Sequence, residues 1–486
     1  MKINNKSLII LSCILIVLIA TITVPKGLLD ATDVKDYTDT ARFFAGEYNA
    51  NQRESHSVLY GLLLSPYIKL THNYFLIKFS SAFFLILLIL SIYYISGKRR
   101  ETLLLTISLP LIWFMPPWIS PLPLVALLFL WAWFFIKKFD EKGRVKDLLY
   151  SGLLIGAAGA FWDTAFYFSF IFLISFLYNK KLYHSILFLI AVFIGLLPNF
   201  IVDYLIFEFP FYSKLKHFSA VLAFALYNGS YGQGFPSDFF NKILVLFFVP
   251  WYSFVFFKKK NFIKEKKTII FLILSILFIL TNSQIRLLLV VAPIIIILLG
   301  EKLNEKQIKI QMIVFIVLSL LVVSPYLVQT KYETNLRYFA INAIDIENWH
   351  FQKGFTFEKI QNDLAIIEKE IPNQEFIVFG ERDDYRELAH YYWGDGIKKF
   401  ISIEDYELFL KGEDTIASKE ISSNAPSDFR RELFFEIGLR KNKNDDTDYD
   451  NLEYGLIFNY DRDDAKIPEG FFLDKEYSVL KLYKKV

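Results

Sequence analysis

Four aspartates recur at intervals of three residues in LLDATDVKDYTDTARFF, residues 28–44, which directly follows the first apolar run of the chain. They are Asp30, Asp33, Asp36 and Asp39. On a helix Asp33 and Asp36 share one side. Because like charges this close at a lipid interface disfavour ionisation, we expect the pKa of at least one of the two carboxyl groups to be raised towards the range useful to a general base. The alternative is a solvated helix start, where aspartates interact favourably with the helix dipole. Taken together, the four aspartates indicate a site for proton transfer.

Other ionisable residues stand at the ends of later apolar runs. Asp163, in GAAGAFWDTAFYF, lies where a charge is costly, so it marks either a functional site or a helix break. Arg286, in TNSQIR, has the guanidinium geometry that suits a phosphate, although an arginine there can also reach lipid headgroups. Asp203 and Glu208 flank the end of the seventh apolar run and give a weaker form of the same argument.

The elements that must position these residues are long apolar segments. The chain has 486 residues, of which 54% are hydrophobic, and its mean hydropathy is +0.36. Its apolar runs are separated by short charged clusters, a pattern that predicts a polytopic α-helical membrane protein with about 11 spans. The predicted spans are 7–24, 74–96, 102–115, 121–136, 147–161, 164–178, 185–206, 240–257, 268–281, 285–300 and 310–329.

Loop charges predict which ends of the spans face outwards. Lys and Arg are concentrated in the loops 97–101, 137–146, 178–184, 258–267 and 301–309, whereas the short turns between them hold at most one basic residue. By the positive-inside rule the basic loops and the N-terminus are cytoplasmic. The aspartate row, the loop 207–239 and the C-terminal tail are then extracellular, in a multi-pass protein of the plasma membrane.

Charge also divides the chain near residue 330. Residues 1–330 contain 31 Lys and Arg and 17 Asp and Glu, whereas residues 331–486 contain 22 and 33. We therefore predict a multi-spanning domain over 1–330, with 25–73 as an acidic first outer loop, and a soluble outer α/β domain over 331–486. In the tail, FEKIQNDLAIIEKEI, DDYRELAHYYWG and EDYELFLK have helical patterns, and EFIVFG, KKFISI, YGLIFNY and YSVLKLYKK have strand patterns.

Two outer loops have features of ligand binding. The first holds two amphipathic stretches, DYTDTARFFAGEY and SVLYGLLLSPYIKL, which are typical of helices lying in the membrane interface. The second, 207–239, ends in LYNGSYGQGFPSDF. Its glycines and aromatic residues predict either a segment that covers a ligand or an ordinary flexible connector.

Several classes of site are absent from the sequence. It contains no Walker-type glycine-rich loop and no G-x-S-x-G motif, and its six histidines form no zinc-spaced set. Cys13 is the single cysteine, so an intrachain disulfide is excluded. Nucleic-acid binding has no support, because the basic clusters are the inner loops of a membrane protein.

The order of these features resembles the multi-spanning glycosyltransferases of the GT-C fold that use polyprenyl-phosphate sugars, the branch with protein O-mannosyltransferases and aminoarabinose transferases. The acidic loop has the family's D…Y…A…G rhythm, and the residues that match are Asp33, Asp36, Tyr37, Ala41 and Gly46. Two later segments also match, HSVLYGLLLSPYIKL at Leu59, Tyr60 and Pro66, and QIRLLLVVAPIIIILLGEKL at Arg286 and Pro293. The chain departs from the family at Ser57 and Val58, where prolines are expected, and at Asp163, where many relatives have a lysine.

This resemblance implies transfer of a sugar from a polyprenyl-phosphate donor to a hydroxyl acceptor on a protein, lipid or glycan, with inversion at the sugar carbon. It implies Asp33 or Asp36 as general base and Arg286 as the residue that holds the departing phosphate. The substrate- and phosphate-binding residues that follow are Arg286, Asp163, His56, Tyr60 and Tyr231. Relatives differ in whether a divalent cation takes part; if Mg²⁺ or Mn²⁺ does, Asp30 and Asp33 are its candidate ligands. The partners are then the lipid-linked donor, the acceptor and the bilayer.

Two other functions are compatible with the sequence. A surface-polysaccharide polymerase or ligase also acts on polyprenyl-linked sugars outside the membrane, but it usually lacks an acidic row directly after the first span. A transporter or non-catalytic receptor with an outer binding domain would not consume such a donor. Against transport, the predicted spans hold few charges and have no inverted repeat of broken helices.

Overall fold

The computed structural model describes residues 4–23, 31–46, 58–71, 74–116, 118–178, 180–215, 239–257, 259–282, 285–327, 357–380, 388, 392, 399–413, 449–459 and 467–486, some of them, such as 31–36 and 39, by their backbone alone. Contacts divide the chain into two units. The first unit comprises Met1–Val24, His56–Lys214 and Gln233–Ile346. The second unit comprises Pro25–Ser55, Leu215–Gly232 and Glu347–Val486. The predicted division at residue 330 stays a prediction.

Helices make up the described part of the first unit. They are α1 (Asn5–Thr23), α3 (Val58–Thr71), α4 (Tyr74–Ile95), α5 (Arg100–Ser108), α6 (Pro110–Phe114), α7 (Leu122–Lys142), α8 (Val145–Phe161), α9 (Ala165–Leu177), α10 (Leu182–Phe207), α11 (Phe239–Phe248), α12 (Lys259–Asn282), α13 (Ala292–Lys302) and α14 (Glu305–Leu327), while α2 (Ala31–Ala45) belongs to the second unit. Two 3-10 helices, Trp251–Phe257 and Ile285–Val290, precede α12 and α13. These bounds lie close to the predicted spans.

Exposed apolar side chains on α10 form a surface that is not suited to water. Leu189, Phe193, Ile194 and Leu205 are all about half exposed or more, and a lipid environment removes the cost of such a face. By length and composition, α7 and residues Leu182–Ile206 of α10 can cross a bilayer. Shorter apolar helices are Asn5–Thr21, Val58–Leu70, Phe79–Ile95 and Ala165–Leu177. These features agree with a membrane protein, and the number of about 11 spans stays a prediction.

Close packing of α8 against α10 depends on glycine. A Cβ atom built on Gly156 would lie 2.1 Å from the carbonyl oxygen of Val192, and one on Gly195 would lie 2.3 Å from that of Leu153. Small residues let two helix backbones approach in this way. Gly152 lies against Phe188 and Ala191, so contacts advance along both helices together and the two run in the same direction. The end of α8 therefore lies beside α10 just after Leu196, and α10 continues beyond it to Phe207.

A break between α5 and α6 leaves a backbone oxygen that a distant helix satisfies. Helix α5 ends at Ser108, and Pro110, which has no N–H to donate, begins α6. The carbonyl oxygen of Ser108 accepts a hydrogen bond from Ser319 Oγ of α14 at 3.0 Å. This bond holds the α5–α6 segment against α14.

The second unit contains α2, α15 (Phe357–Glu370), α16 (Ile403–Leu410) and a five-stranded sheet. Its strands are β1 (Phe376–Val378), β2 (Phe400–Ser402), β3 (Tyr454–Phe458), β4 (Phe471–Glu476) and β5 (Leu480–Lys485), in the spatial order β2-β1-β3-β5-β4. Strand β1 pairs in parallel with β2 and β3, whereas β5 pairs antiparallel with β3 and β4. A carboxylate oxygen of Asp363 in α15 accepts hydrogen bonds from the N–H groups of Val479 at 2.6 Å and Leu480 at 3.1 Å. These bonds attach α15 to the start of β5.

Most of the described tail lies where the sequence predicts it. The segments EFIVFG, KKFISI, YGLIFNY and YSVLKLYKK contain β1, β2, β3 and β5. The first helical pattern contains α15, and the last one covers α16 except for its first residue, Ile403. The sequence does not predict β4, because polar and apolar side chains do not alternate along it. In the structure, all residues of β4 after Phe471 are exposed. Most of the predicted helix DDYRELAHYYWG lies outside the described residues.

Candidate functional site

The acidic row lies on one helix. Because α2 spans Ala31–Ala45, the positions of Asp33, Asp36 and Asp39 share a helical backbone at intervals of three residues, as the spacing predicts. Asp30 lies outside the described residues. This helix belongs to the second unit, whereas the other described candidates, at positions 60, 163 and 286, belong to the first.

Tyr60 of α3 is fully buried and holds a turn of the chain in place. Its hydroxyl donates a hydrogen bond to the carbonyl oxygen of Ser120 at 2.9 Å and lies 3.3 Å from Ser80 Oγ of α4. Ser120 precedes α7 in the segment MPPWISP, residues 115–121. A second serine of α4, Ser81, receives the N–H of Ser120 at 3.4 Å. Tyr60 thus fixes this turn against α3 and α4.

Arg286 contacts the same turn. It lies in the 3-10 helix Ile285–Val290, and its Cζ is 5.6 Å from the centre of the Trp118 ring. Trp118 is 1% exposed, so the ring is a fixed platform for the guanidinium. Residues 115–121 therefore bring two predicted site residues, Tyr60 and Arg286, to neighbouring positions. Sequence reasoning missed Trp118, whose only signal was its place in a turn without basic residues.

Asp163 forms a buried ion pair. It lies two residues after the end of α8, is 2% exposed, and its Oδ1 lies 2.5 Å from Lys214 Nζ. A carboxylate is stable at such a buried position only when a partner neutralises it. Sequence reasoning missed Lys214, which lies in the predicted loop 207–239.

A second buried carboxylate lies beside this pair. Asp203 of α10 accepts hydrogen bonds from the N–H of Ser213 at 3.0 Å and from its hydroxyl at 2.7 Å. Asn199 donates to the same hydroxyl at 3.2 Å. Glu208, at the C-terminal end of α10, has φ 59° and reverses the chain, so that residues 209–215 fold back along α10. Asp203 therefore has a structural partner, and Glu208 is an exposed helix end.

Three of the predicted residues, His56, Tyr231 and Asp30, lie outside the described residues, so their roles stay predictions. In the part of the chain that the structure describes, no group of three or more His, Cys, Asp or Glu side chains is placed to hold a metal ion. The side chain of Asp33 is not part of that description. The metal site at Asp30 and Asp33 is likewise a prediction.

The chain is similar to known proteins in its structure rather than in its sequence. No protein-family model matches the sequence, and no curated protein matches it. The crystal structure of ArnT from Cupriavidus metallidurans bound to undecaprenyl phosphate aligns with a TM-score of 0.58 and 11% identity, over 98% of this chain and 98% of ArnT. The apo structure of ArnT aligns with a TM-score of 0.60 and 10% identity, over 98% and 97%. The chain is therefore similar in fold to ArnT over nearly its whole length, which confirms the fold that the resemblance implies.

Proposed function

We propose that this protein is a membrane glycosyltransferase that moves a sugar from a polyprenyl-phosphate donor to a hydroxyl acceptor on the outer face of the plasma membrane. The observation that carries the proposal is the similarity in fold to ArnT bound to undecaprenyl phosphate, which extends over 98% of both chains. At 11% identity this similarity concerns the fold alone. The chemistry therefore rests on the residues of this chain.

Activation of the acceptor is the task that needs a base. A polyprenyl phosphate is a good leaving group that needs no protonation, so the enzyme has to take a proton from the acceptor hydroxyl. Asp33 and Asp36, on the helix α2, are the carboxylates we propose for this step. Attack of the hydroxyl oxygen on the sugar carbon, opposite the departing phosphate, inverts that carbon. The proton passes to the aspartate, and the bond between the sugar and the phosphate breaks.

Stabilisation of the departing phosphate is the task that needs a cation. Arg286 lies on the ring of Trp118, and a planar guanidinium can stack on an aromatic face while the N–H groups along its edge bind phosphate oxygens. The turn that holds Trp118 is itself fixed by the hydrogen bond from Tyr60 to Ser120. This fixed arrangement supports Arg286 as the phosphate-binding residue, because a preorganised cation stabilises developing charge without having to reorganise.

Asp163 contributes to the proposed site through its ion pair with Lys214. It neutralises and orients the ammonium group of Lys214, rather than binding an anion itself. We therefore assign Asp163 to the support of the site and Lys214 to its positive charge.

The test uses membrane vesicles and a radiolabelled polyprenyl-phosphate hexose. We expect the wild-type protein to release polyprenyl phosphate and to transfer label, Asp33→Asn or Asp36→Asn to lose at least about 100-fold in rate, and Arg286→Ala to lose a similar factor. The matched control is Asp39→Asn, a third aspartate of the same helix, which we expect to keep most of the activity. Equal rates in all variants, or no consumption of the donor by the wild type, would contradict the proposal.

A further inference from the structure

A short segment after α10 is bound to that helix through one serine. Ser213 donates two hydrogen bonds to Asp203 Oδ2, one from its N–H at 3.0 Å and one from its hydroxyl at 2.7 Å. Asn199 Nδ2 donates to the same hydroxyl oxygen at 3.2 Å. Asn199 and Asp203 are four residues apart on one face of α10, and both are 0% exposed. These three residues form a buried clamp, which we call the Ser213 clamp.

The Ser213 clamp also sets the direction of the chain that follows. Residues 212–215 are helical, and the first N–H groups of a helical segment have no partner within it. Asp203 binds the N–H of Ser213, and a negative charge at this end of a helical segment is favourable. The ring of Phe211 adds an apolar contact with Phe200 of α10, with 4.7 Å between the ring centres. The segment is therefore fixed from α10 by both polar and apolar contacts.

Lys214 is the charged residue that this segment carries. It directly follows Ser213 in the chain, and its ammonium group lies 2.5 Å from Asp163 Oδ1. An ammonium group has three N–H donors. Among the residues that the structure describes, Asp163 is its single hydrogen-bond partner. Because the side chain of Lys214 is 16% exposed, its remaining donors can reach a ligand.

The two anchors of Lys214 belong to a rigid pair of helices. Asp203 lies on α10 and Asp163 lies two residues after α8, and the backbones of these helices are in close contact at Gly156. Ser213 fixes the backbone of Lys214 from the side of α10, while Asp163 fixes the ammonium group from the side of α8. The position of the positive charge is therefore determined at both ends of the side chain.

We propose that Asp203 is a positioning residue, which acts through Ser213 to place the ammonium group of Lys214 at the phosphate of the polyprenyl-phosphate donor. The inference rests on the proposed function, and it identifies what directs the positive charge of the site. No curated role is needed for Asp203 to act in this way, because it touches neither the sugar nor the phosphate.

The chemistry of the donor indicates which step Lys214 serves. The donor phosphate carries one negative charge, because two of its oxygens are esterified. When the bond between the sugar carbon and the phosphate oxygen breaks, its electron pair stays on that oxygen, and the phosphate gains a second negative charge. We assign Lys214 to this second charge. Its interaction is then stronger in the transition state than with the bound donor, so its loss lowers kcat more than it raises KM.

The experiment is a double-mutant cycle on kcat and KM. It compares Asp203→Asn, Lys214→Met and the double variant, as purified full-length proteins in liposomes with a polyprenyl-phosphate hexose as donor. We expect Lys214→Met to lower kcat by about 100-fold and Asp203→Asn to lower it by about 10-fold, each with the donor KM changed by less than about threefold. The double variant should be no slower than Lys214→Met, because Asp203 then has no charge left to position.

A carboxylate of α8 provides the matched control. Asp147 is 2% exposed and pairs with Arg144 at 2.9 Å, but it lies in the first turn of α8, whereas Asp163 follows the last. Asp147→Asn removes the same charge under similar burial, and we expect it to keep kcat within about twofold of the wild type. A merely structural loss would appear in Asp147→Asn as well, and it would persist for Asp203→Asn when Lys214 is already absent.

Ser213→Ala is the second variant of the Ser213 clamp. It removes one hydroxyl and leaves every charge in place, so it replaces Asp203→Asn in the cycle if that protein does not fold. We expect it to lower kcat in the wild-type background and to leave the kcat of Lys214→Met unchanged.

An unchanged kcat in Asp203→Asn and Ser213→Ala would overturn the positioning role. A double variant about 1,000-fold slower than the wild type, the product of the two single losses, would also overturn it, and so would an equal loss in Asp147→Asn. A wild-type protein that consumes no donor would instead overturn the proposed function, and the role of Asp203 with it. The activity of the wild type therefore distinguishes the two failures.

Discussion

At the scale of single residues, the site depends on charges that are removed from water and paired. Asp163 and Lys214 form such a pair, in which the side chain of Asp163 is 2% exposed and that of Lys214 is 16% exposed. Removal of one partner leaves the other with the full cost of its burial, whereas removal of both leaves two neutral groups. The pair is therefore best tested by a double-mutant cycle.

We predict that Lys214→Met lowers the free energy of unfolding by about 3 kcal/mol, because Asp163 is then buried without a counter-charge. The double variant Asp163→Asn/Lys214→Met should recover most of that loss. Denaturant unfolding of the detergent-solubilised protein measures both. The pairing would be contradicted if the double variant were as unstable as Lys214→Met alone.

The two residues that extend the predicted site, Trp118 and Lys214, could not be found from sequence patterns. Trp118 meets Arg286, and Lys214 meets Asp163, across long separations in the chain. Helical or strand periodicity reports only on neighbours within a few residues. Arg286 and Asp163 could be singled out because a charge at the end of an apolar run is costly by itself, but the group that compensates each one is a property of the fold.

At the scale of elements, the crossing of α8 and α10 sets the geometry around Asp163 and Asp203. The two helices approach so closely at Gly156 that a Cβ atom there would lie 2.1 Å from the carbonyl oxygen of Val192. A backbone atom cannot move aside as a side chain can. Any side chain at this position must therefore push the helices apart.

We predict that Gly156→Ala lowers the free energy of unfolding by about 1–3 kcal/mol and also lowers the rate of transfer. The control is Gly159→Ala on the same helix, where the nearest atom to a new Cβ is the flexible end of Leu196 at 3.3 Å. It should change stability by less than about 0.5 kcal/mol. Thermal or denaturant unfolding of both variants measures the difference, and equal losses would contradict the role given to the crossing.

Element positions follow from sequence more readily than element partners do. Apolar runs predicted most of the described helices of the first unit, and the pattern of DYTDTARFFAGEY predicted a helix where α2 lies. The grouping of α2 with the tail was not predicted, because it depends on packing between segments that lie far apart in the chain and not on a local pattern. Strand β4 was missed for a related reason, since its place is set by pairing with β5 and not by its own pattern.

At the scale of the whole molecule, the proposed reaction requires the acidic helix and the tail to face the outer side of the membrane. The evidence for this topology is the distribution of Lys and Arg among the loops. A chain with a single cysteine, Cys13, allows the topology to be tested by placing one new cysteine at a time.

In a Cys13→Ser background, we predict that Lys475→Cys reacts with a membrane-impermeant maleimide added to intact cells, because β4 is then extracellular. Lys142→Cys, at the end of α7, should react only after the membrane is permeabilised. Both positions are exposed, so burial does not explain a difference between them. Labelling of Lys142→Cys in intact cells, with protection of Lys475→Cys, would reverse the topology and remove the proposed base from the outer face.

The central claim is that the chain transfers a sugar from a lipid-linked phosphate, and the most direct measurement is donor turnover by the purified protein in liposomes. We expect the wild type to release polyprenyl phosphate repeatedly when a hydroxyl acceptor is present, to give a product of inverted configuration, and to stop when Asp33 and Asp36 are both changed to asparagine. If the wild type leaves the donor intact, or if the double variant releases polyprenyl phosphate at the same rate, the chain has the fold of ArnT without the chemistry proposed for it.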